Sequence, residues 1–286
     1  MWIRNPAEWG AVQLAATGHA LRSIGSTLVH PIVDDSLAPP EVRHISFADL
    51  RDALVKGWDD FGAFRTDVLF VCLLYPAAGI ALALMTSNVG RLPLIFPLFS
   101  GFALIGPLAA VWLYEMSRLR ERGARASWAE GFKAFASPPA ASIIKLGLLL
   151  IGIFALWLAV AIEIYTLTLG PDLPASITSF VSDVFTTRAG WALIVFGVGI
   201  GSLFALLVLS ISVISFPLLL DRRVSVKTAM ATSIRAMRIN PGPILAWGLL
   251  IAVSVLVGMI PVLIGLIVVL PVLGHATWHL YRKVVV

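Results

Sequence analysis

Two histidines stand four residues apart near the end of the chain, in LPVLGHATWHLYRK, with Arg282 and Lys283 closing the segment. At i and i+4, His275 and His279 share one helix face with side chains about 6 Å apart. Two neutral imidazoles so placed grip one zinc or copper ion if further ligands are supplied. They cannot hold opposite faces of one haem from a single helix. His19, His30 and His44 all lie in the N-terminal segment, so a metal site shared by the two ends of the chain is geometrically open. The competing reading is a membrane exit. There Trp278 and Tyr281 form an interfacial belt, the histidines hydrogen-bond to neighbouring helices or headgroups, and Arg282 and Lys283 reach for phosphates. This second reading is the expectation, with no cofactor.

Other reactive residue types are sparse. Glu163, in WLAVAIEIYTL, is an ionisable group in an apolar run, which makes transport a hypothesis. Its place near the end of that run, beside Tyr165, also suits a membrane interface. Glu115 and Arg118 are three residues apart and predict a local ion pair. Cys72, the single cysteine, reads as a small buried hydrophobe. Gly197 and Gly201 form a GxxxG that lets another helix approach, for internal packing or for a partner. No nucleophile with its base, phosphate loop or metalloprotease motif occurs, so the chain is not expected to be an enzyme.

The elements that must position these residues follow from hydropathy. Of the 286 residues 59% are hydrophobic and 13% charged, and mean hydropathy is +0.93, which points to lipid as the solvent. No removable signal peptide is evident. A helix crosses the hydrocarbon in about 20 residues. That ruler predicts an all-α membrane bundle with spans at about 67–85, 92–116, 142–167, 190–220, 241–260 and 262–281, preceded by residues 1–65 as a cytoplasmic, interfacial segment. The last apolar block is too long for one crossing and is expected to bend near Gly258 and Pro261. Five spans with a kinked final helix is the alternative.

Orientation follows from lysine and arginine. Six spans put four basic clusters on one side: the N-terminal segment, the loop holding Arg118, Arg120, Arg122 and Arg125, the loop from Arg222 to Arg238, and Arg282 with Lys283. Arg91 and Arg188 are left opposite. Both termini are therefore expected in the cytoplasm, and position in loops explains the net charge of +5 without nucleic acid.

In the N-terminal segment, Asn5 and Pro6 begin a surface helix and VDDSLAPPEVR reads as a linker. Ser46 with Asp49 caps a second helix whose Phe47, Leu50, Leu54, Trp58 and Phe61 share a face. That helix is expected in the headgroup region or docked on its own bundle. The similarity of LAAVWLYEMSR to GHATWHLYRK reads as two cytoplasmic exits rather than a duplication.

FPLFSGFALIGPLAAVWLYEMSRLRERG, KGWDDFGAFRTD, the closing LPVLGHATWHLYRK and the N-terminal RNPAEWG together resemble the uncharacterised integral membrane family called domain of unknown function 2189, alphaproteobacterial type. The resemblance implies a multi-pass helical bundle of the bacterial inner membrane. Some relatives carry the label of a cytochrome c oxidase subunit I, but no predicted span before the last contains a histidine, so this chain is not an oxidase core. The expected function is a non-enzymatic accessory or scaffold component bound to membrane lipids and other integral membrane proteins, with respiratory or photosynthetic complexes as the candidate class. Contacts are expected from Trp58, Phe61, the Arg118 to Arg125 loop, Gly197, Gly201, Trp278, Tyr281 and Arg282. The alternatives are a small-solute or ion transporter using Glu163, or a metal-binding factor for respiratory assembly using His275 and His279.

Overall fold

A computed structural model describes residues 40–72, 93, 95–124, 130–131, 133–172, 174–260 and 264–286. The surface helix expected after Asn5, most of the first span, His19, His30, Arg125 and Pro261 lie outside the described residues. The described chain is helical. Its helices are α1 (Phe47–Cys72), α2 (Ile95–Ala109), α3 (Val111–Glu121), α4 (Ala140–Thr168), α5 (Ile177–Thr186), α6 (Arg188–Ser212), α7 (Ser215–Asp221), α8 (Val226–Ile239), α9 (Pro241–Met259) and α10 (Leu266–Val284). Among the described residues three stretches are long and apolar enough to cross a membrane: Ala140–Thr168, Arg188–Asp221 and Pro241–Met259.

Two helix breaks fall close to a proline. Pro107 lies inside α2, and α2 gives way to α3 at Ala110, three residues on, whereas α10 runs unbroken through Pro271. Between α6 and α7 the helix resets at Val213 and Ile214, four and three residues before Pro217. There the Ile214 amide donates to Ser233 Oγ of α8 at 3.3 Å, so this buried donor is satisfied from another helix. The last apolar block bends between the end of α9 at Met259 and the start of α10 at Leu266.

Helix α1 begins with the expected cap. The Ser46 amide donates to Asp49 Oδ2 at 2.8 Å, and the Asp49 amide donates to Ser46 Oγ at 3.4 Å. The helix then runs unbroken through residues 65 and 66, where the interfacial segment and the bundle were expected to divide. Its buried stripe is Leu50, Ala53, Gly57, Asp60 and Phe64, whereas Phe47 and Trp58 are exposed. The packing face is thus rotated from the expected one. The partner explains the rotation: α1 packs antiparallel on α10, and small side chains at Ala53 and Gly57 let two backbones approach. A Cβ on Gly57 would lie 2.6 Å from the Ala276 amide nitrogen and 2.8 Å from its Cα.

Beyond the end of α10, Val42 pairs with Val285, with Arg43 N donating to the Val284 carbonyl at 2.8 Å and Val286 N to the Glu41 carbonyl at 3.1 Å. Asn240, at the head of α9, receives the Ile45 amide on Oδ1 and donates through Nδ2 to the Arg43 carbonyl, both at 2.8 Å. The segment before α1 is therefore pinned to both C-terminal helices.

Gly57→Ala forces α1 away from α10, and a loss of about 1–3 kcal/mol is expected, read as a lower thermal midpoint of the detergent-solubilised protein. Gly62, on the same helix, has nothing within 4 Å of an added Cβ. Gly62→Ala is expected to leave the midpoint unchanged or raise it slightly; equal effects at the two positions would contradict the close approach.

Candidate functional site: a buried polar junction

Helices α1, α3 and α10 each send polar side chains to one point. Asp60 is 3% exposed, Ser117 1% and His275 0%. A carboxylate so buried needs its oxygens occupied, and they are. Asp60 Oδ2 accepts from Ser117 Oγ at 2.6 Å and from His279 Nε2 at 2.8 Å, while Oδ1 takes the Arg120 guanidinium. That guanidinium also lies 6.0 Å from the centroid of the Phe64 ring, within cation–π range.

These contacts fix the protons. A carboxylate only accepts, so His279 donates through Nε2, and Ser117 spends its single hydrogen on Asp60. Ser117 Oγ also lies 2.8 Å from His275 Nδ1, so Nδ1 must carry the hydrogen and donate to the hydroxyl. The lone pair of His275 is then on Nε2, which is buried without a hydrogen-bond partner. The order is the reverse of a hydrolytic triad. There a histidine takes the serine proton; here it gives one to the serine, and the hydroxyl is sealed from solvent.

Burial pushes the Asp60 carboxyl up, but hydrogen bonds from His279, Ser117 and Arg120 and the nearby His279 charge outweigh it and hold the group at about 2. Asp49, at the head of α1, is also held at about 2, first by the Ser46 amide and hydroxyl and then by Lys283. Lys283 closes the antiparallel pair, 3.1 Å from Asp49 and 2.9 Å from Asp52. Its hydrogen bonds to these acids raise the lysine from its ordinary value despite some burial.

A second set of ties surrounds the first. Trp278 and Tyr281 are fully buried and therefore do not form the expected interfacial belt. Trp278 Nε1 donates to Glu121 at 3.2 Å and Tyr281 OH to Asp221 at 2.9 Å. Arg282 pairs with Glu121 at 3.1 Å and Asp221 at 3.6 Å, and Arg122 with Asp221 at 3.3 Å. Arg118 makes the expected pair with Glu115, at 2.7 Å, and also donates to the Leu220 carbonyl at 3.0 Å.

The remaining candidates lie elsewhere. Trp58 is exposed and packs against the half-buried Phe61, ring centroids 5.8 Å apart. Gly201 lies against Trp157, 3.0 Å from an added Cβ, which makes half of the GxxxG an internal contact; Gly197 has nothing within 4 Å. Glu163 is exposed on α4, away from the junction. The nitrogens of His275 and His279 nearest the junction face Ser117 and Asp60. Among the described residues no three or more His, Cys, Asp or Glu side chains are grouped to hold a metal.

Reading the sequence missed Asp60 and Ser117. The signal present was the stripe Leu50, Ala53, Gly57, Asp60, Phe64, in which one acid interrupts an otherwise small and apolar face.

Residues 95–221 match the model of the family described as Predicted integral membrane protein (DUF2189). No curated protein and no solved structure matches the chain. The matched segment supplies Ser117 and Arg120 to the junction, while Asp60, His275 and His279 come from the flanking helices.

Asp60→Asn leaves the Arg120 guanidinium without its countercharge and is expected to cost on the order of 3 kcal/mol, measured as loss of thermal stability in detergent. Acid tests the same contacts. Carboxyls held at about 2 against an ordinary 3.8 contribute stability that is complete above the free value and is lost as pH falls through 3.8 toward 2. The thermal midpoint should drop across that window in the native chain and drop less in Asp60→Asn. Identical acid profiles would contradict Asp60's role.

Proposed function

We propose that this chain is a non-enzymatic accessory or scaffold protein of the bacterial inner membrane, with six spans and both termini in the cytoplasm. It associates with other integral membrane proteins, respiratory or photosynthetic complexes being the candidate class. The observation that carries this reading is the division of labour between polar and apolar groups. The acids, histidines and arginines at the junction are engaged in tying helices together, while large apolar side chains of α4, α6 and α9, such as Leu167, Leu203 and Leu249, face outward. Such surface meets lipid or another apolar helix and has no chemistry of its own.

The contacts at the junction support the topology. The heads of α1 and α9 and the tails of α3, α7 and α10 meet there through Asp49 and Lys283, Arg118 and Leu220, Tyr281 and Asp221, and Asn240 and Arg43. Alternate crossings would bring these ends together, and they coincide with the basic clusters that the positive-inside rule assigns to the cytoplasm.

Purification from native membranes in a mild detergent, followed by mass spectrometry, is expected to recover a stoichiometric membrane complex. Recovery of the chain alone would overturn the scaffold role. In that event zinc and copper content, compared with a His275→Ala, His279→Ala variant, and liposome flux, compared with Glu163→Gln, decide between the metal-factor and transporter alternatives. A label placed at Val286 should react from the cytoplasmic side; a periplasmic label would rule out the six-span arrangement.

A further inference from the structure

Helix α8 uses one face and leaves the other open. Its buried residues are Ala229, Thr232, Ser233 and Ala236, short side chains that seat it flat on the ends of its neighbours. Ser225 Oγ caps it by accepting the Thr228 amide at 3.1 Å. The helix is therefore fixed in rotation. On the opposite edge Lys227, Arg235 and Arg238 are exposed, with Arg223 exposed just before the first turn. At about 100° per residue the three helical cations fall within an arc of about 80°.

The cations of this edge, like Arg43, Arg51 and Arg222, stand apart from the paired arginines and lysines of the junction. Arg118, Arg120, Arg122, Arg282 and Lys283 are each paired with a carboxylate. Among the described residues Arg223, Lys227, Arg235 and Arg238 form no ion pair. Their position is also fixed. Just before α8, Leu220 and Asp221 are held by Arg118 and Tyr281, and just after it Asn240 is held by the segment before α1. The helix lies where Arg188–Asp221 ends and Pro241–Met259 begins, so its open edge faces the level at which both apolar stretches leave the hydrocarbon.

We propose that the basic edge of α8 binds the anionic headgroups of phospholipids in the leaflet at the junction end. Unpaired cations held at a membrane surface gain roughly fivefold in affinity for anionic lipid per charge, and the partly buried Val226, Met230 and Ile234 beside them fit the level below the headgroups. This assigns lipid recognition to α8 rather than to the Arg118 to Arg122 loop, whose three guanidinium groups are spent on Glu115, Asp60 and Asp221. The assignment rests on the membrane reading alone and stands whether or not the chain has a protein partner.

The test uses the full chain in a nonionic detergent, titrated with phosphatidylglycerol or with phosphatidylcholine of the same acyl chains, bound lipid being counted by native mass spectrometry. Saturable binding of phosphatidylglycerol, at least tenfold tighter than of phosphatidylcholine and weakened by salt, is expected. A Lys227→Gln, Arg235→Gln, Arg238→Gln variant should lose about tenfold or more of that affinity with an unchanged thermal midpoint. The charge-preserving Lys227→Arg, Arg235→Lys, Arg238→Lys variant should retain it and guards against misfolding as the cause. Millimolar inorganic phosphate should fail to displace the lipid. Equal affinity for the two lipids, displacement by free phosphate, or a triple-glutamine variant that binds like the native chain would each overturn the proposal; the last would point to an acidic protein as the occupant.

Discussion

A single buried carboxylate sets the terms for this structure. Asp60 is buried at 3% exposure, where an unpaired charge is far too costly to keep. It is tolerable only while α3 supplies Ser117 and Arg120 and α10 supplies His279. Three helices from three parts of the sequence must therefore arrive together, and any arrangement that separates them leaves a charge stranded. The acid contributes less to net stability than to uniqueness, since an apolar residue at position 60 would tolerate many helix rotations and Asp60 tolerates few.

That specificity matters more in lipid than in water. The hydrophobic effect does not draw apolar helices together once they are within the bilayer, so association depends on close backbone approach and on polar ties. Both occur along the same pair of helices, with Gly57 against Ala276 and Asp60 against His279. The outer ties from Lys283 and Arg282 are closer to solvent and weaker individually. Their effect is to hold the end of α10 so that the inner contacts stay in register.

The long apolar elements were legible in the sequence because length and composition alone define them. The stretch read as 142–167 is long and apolar enough to cross a membrane over Ala140–Thr168, that read as 190–220 over Arg188–Asp221, and that read as 241–260 over Pro241–Met259. The Ser46 cap and the Glu115 to Arg118 pair were legible because each depends on residues three apart. What depended on distant partners was not. Trp278 and Tyr281 read as a belt because aromatic residues beside arginine usually mark an interface, and nothing local shows that Glu121 and Asp221 receive their polar atoms. His275 and His279 read as a pair, although the structure gives them separate acceptors on α3 and α1. Helix α5 falls between two predicted spans; its ten residues are too few for a crossing, and a capping box at Ser176 and Ser179 is what starts it.

The central claim is that the segment before and within α1 clasps the C-terminal helix. The antiparallel pair Val42 and Val285 tests it most directly, because both are buried and belong to the narrow, non-hydrogen-bonded type, whose Cα atoms stand about 4.5 Å apart and within disulfide reach. Val42→Cys with Val285→Cys, in a chain whose Cys72 is replaced by serine, would be oxidised in the membrane and digested. A reducible cross-link joining the two peptides within one chain is the predicted result. Two free, fully alkylated cysteines under the same oxidation would contradict the clasp.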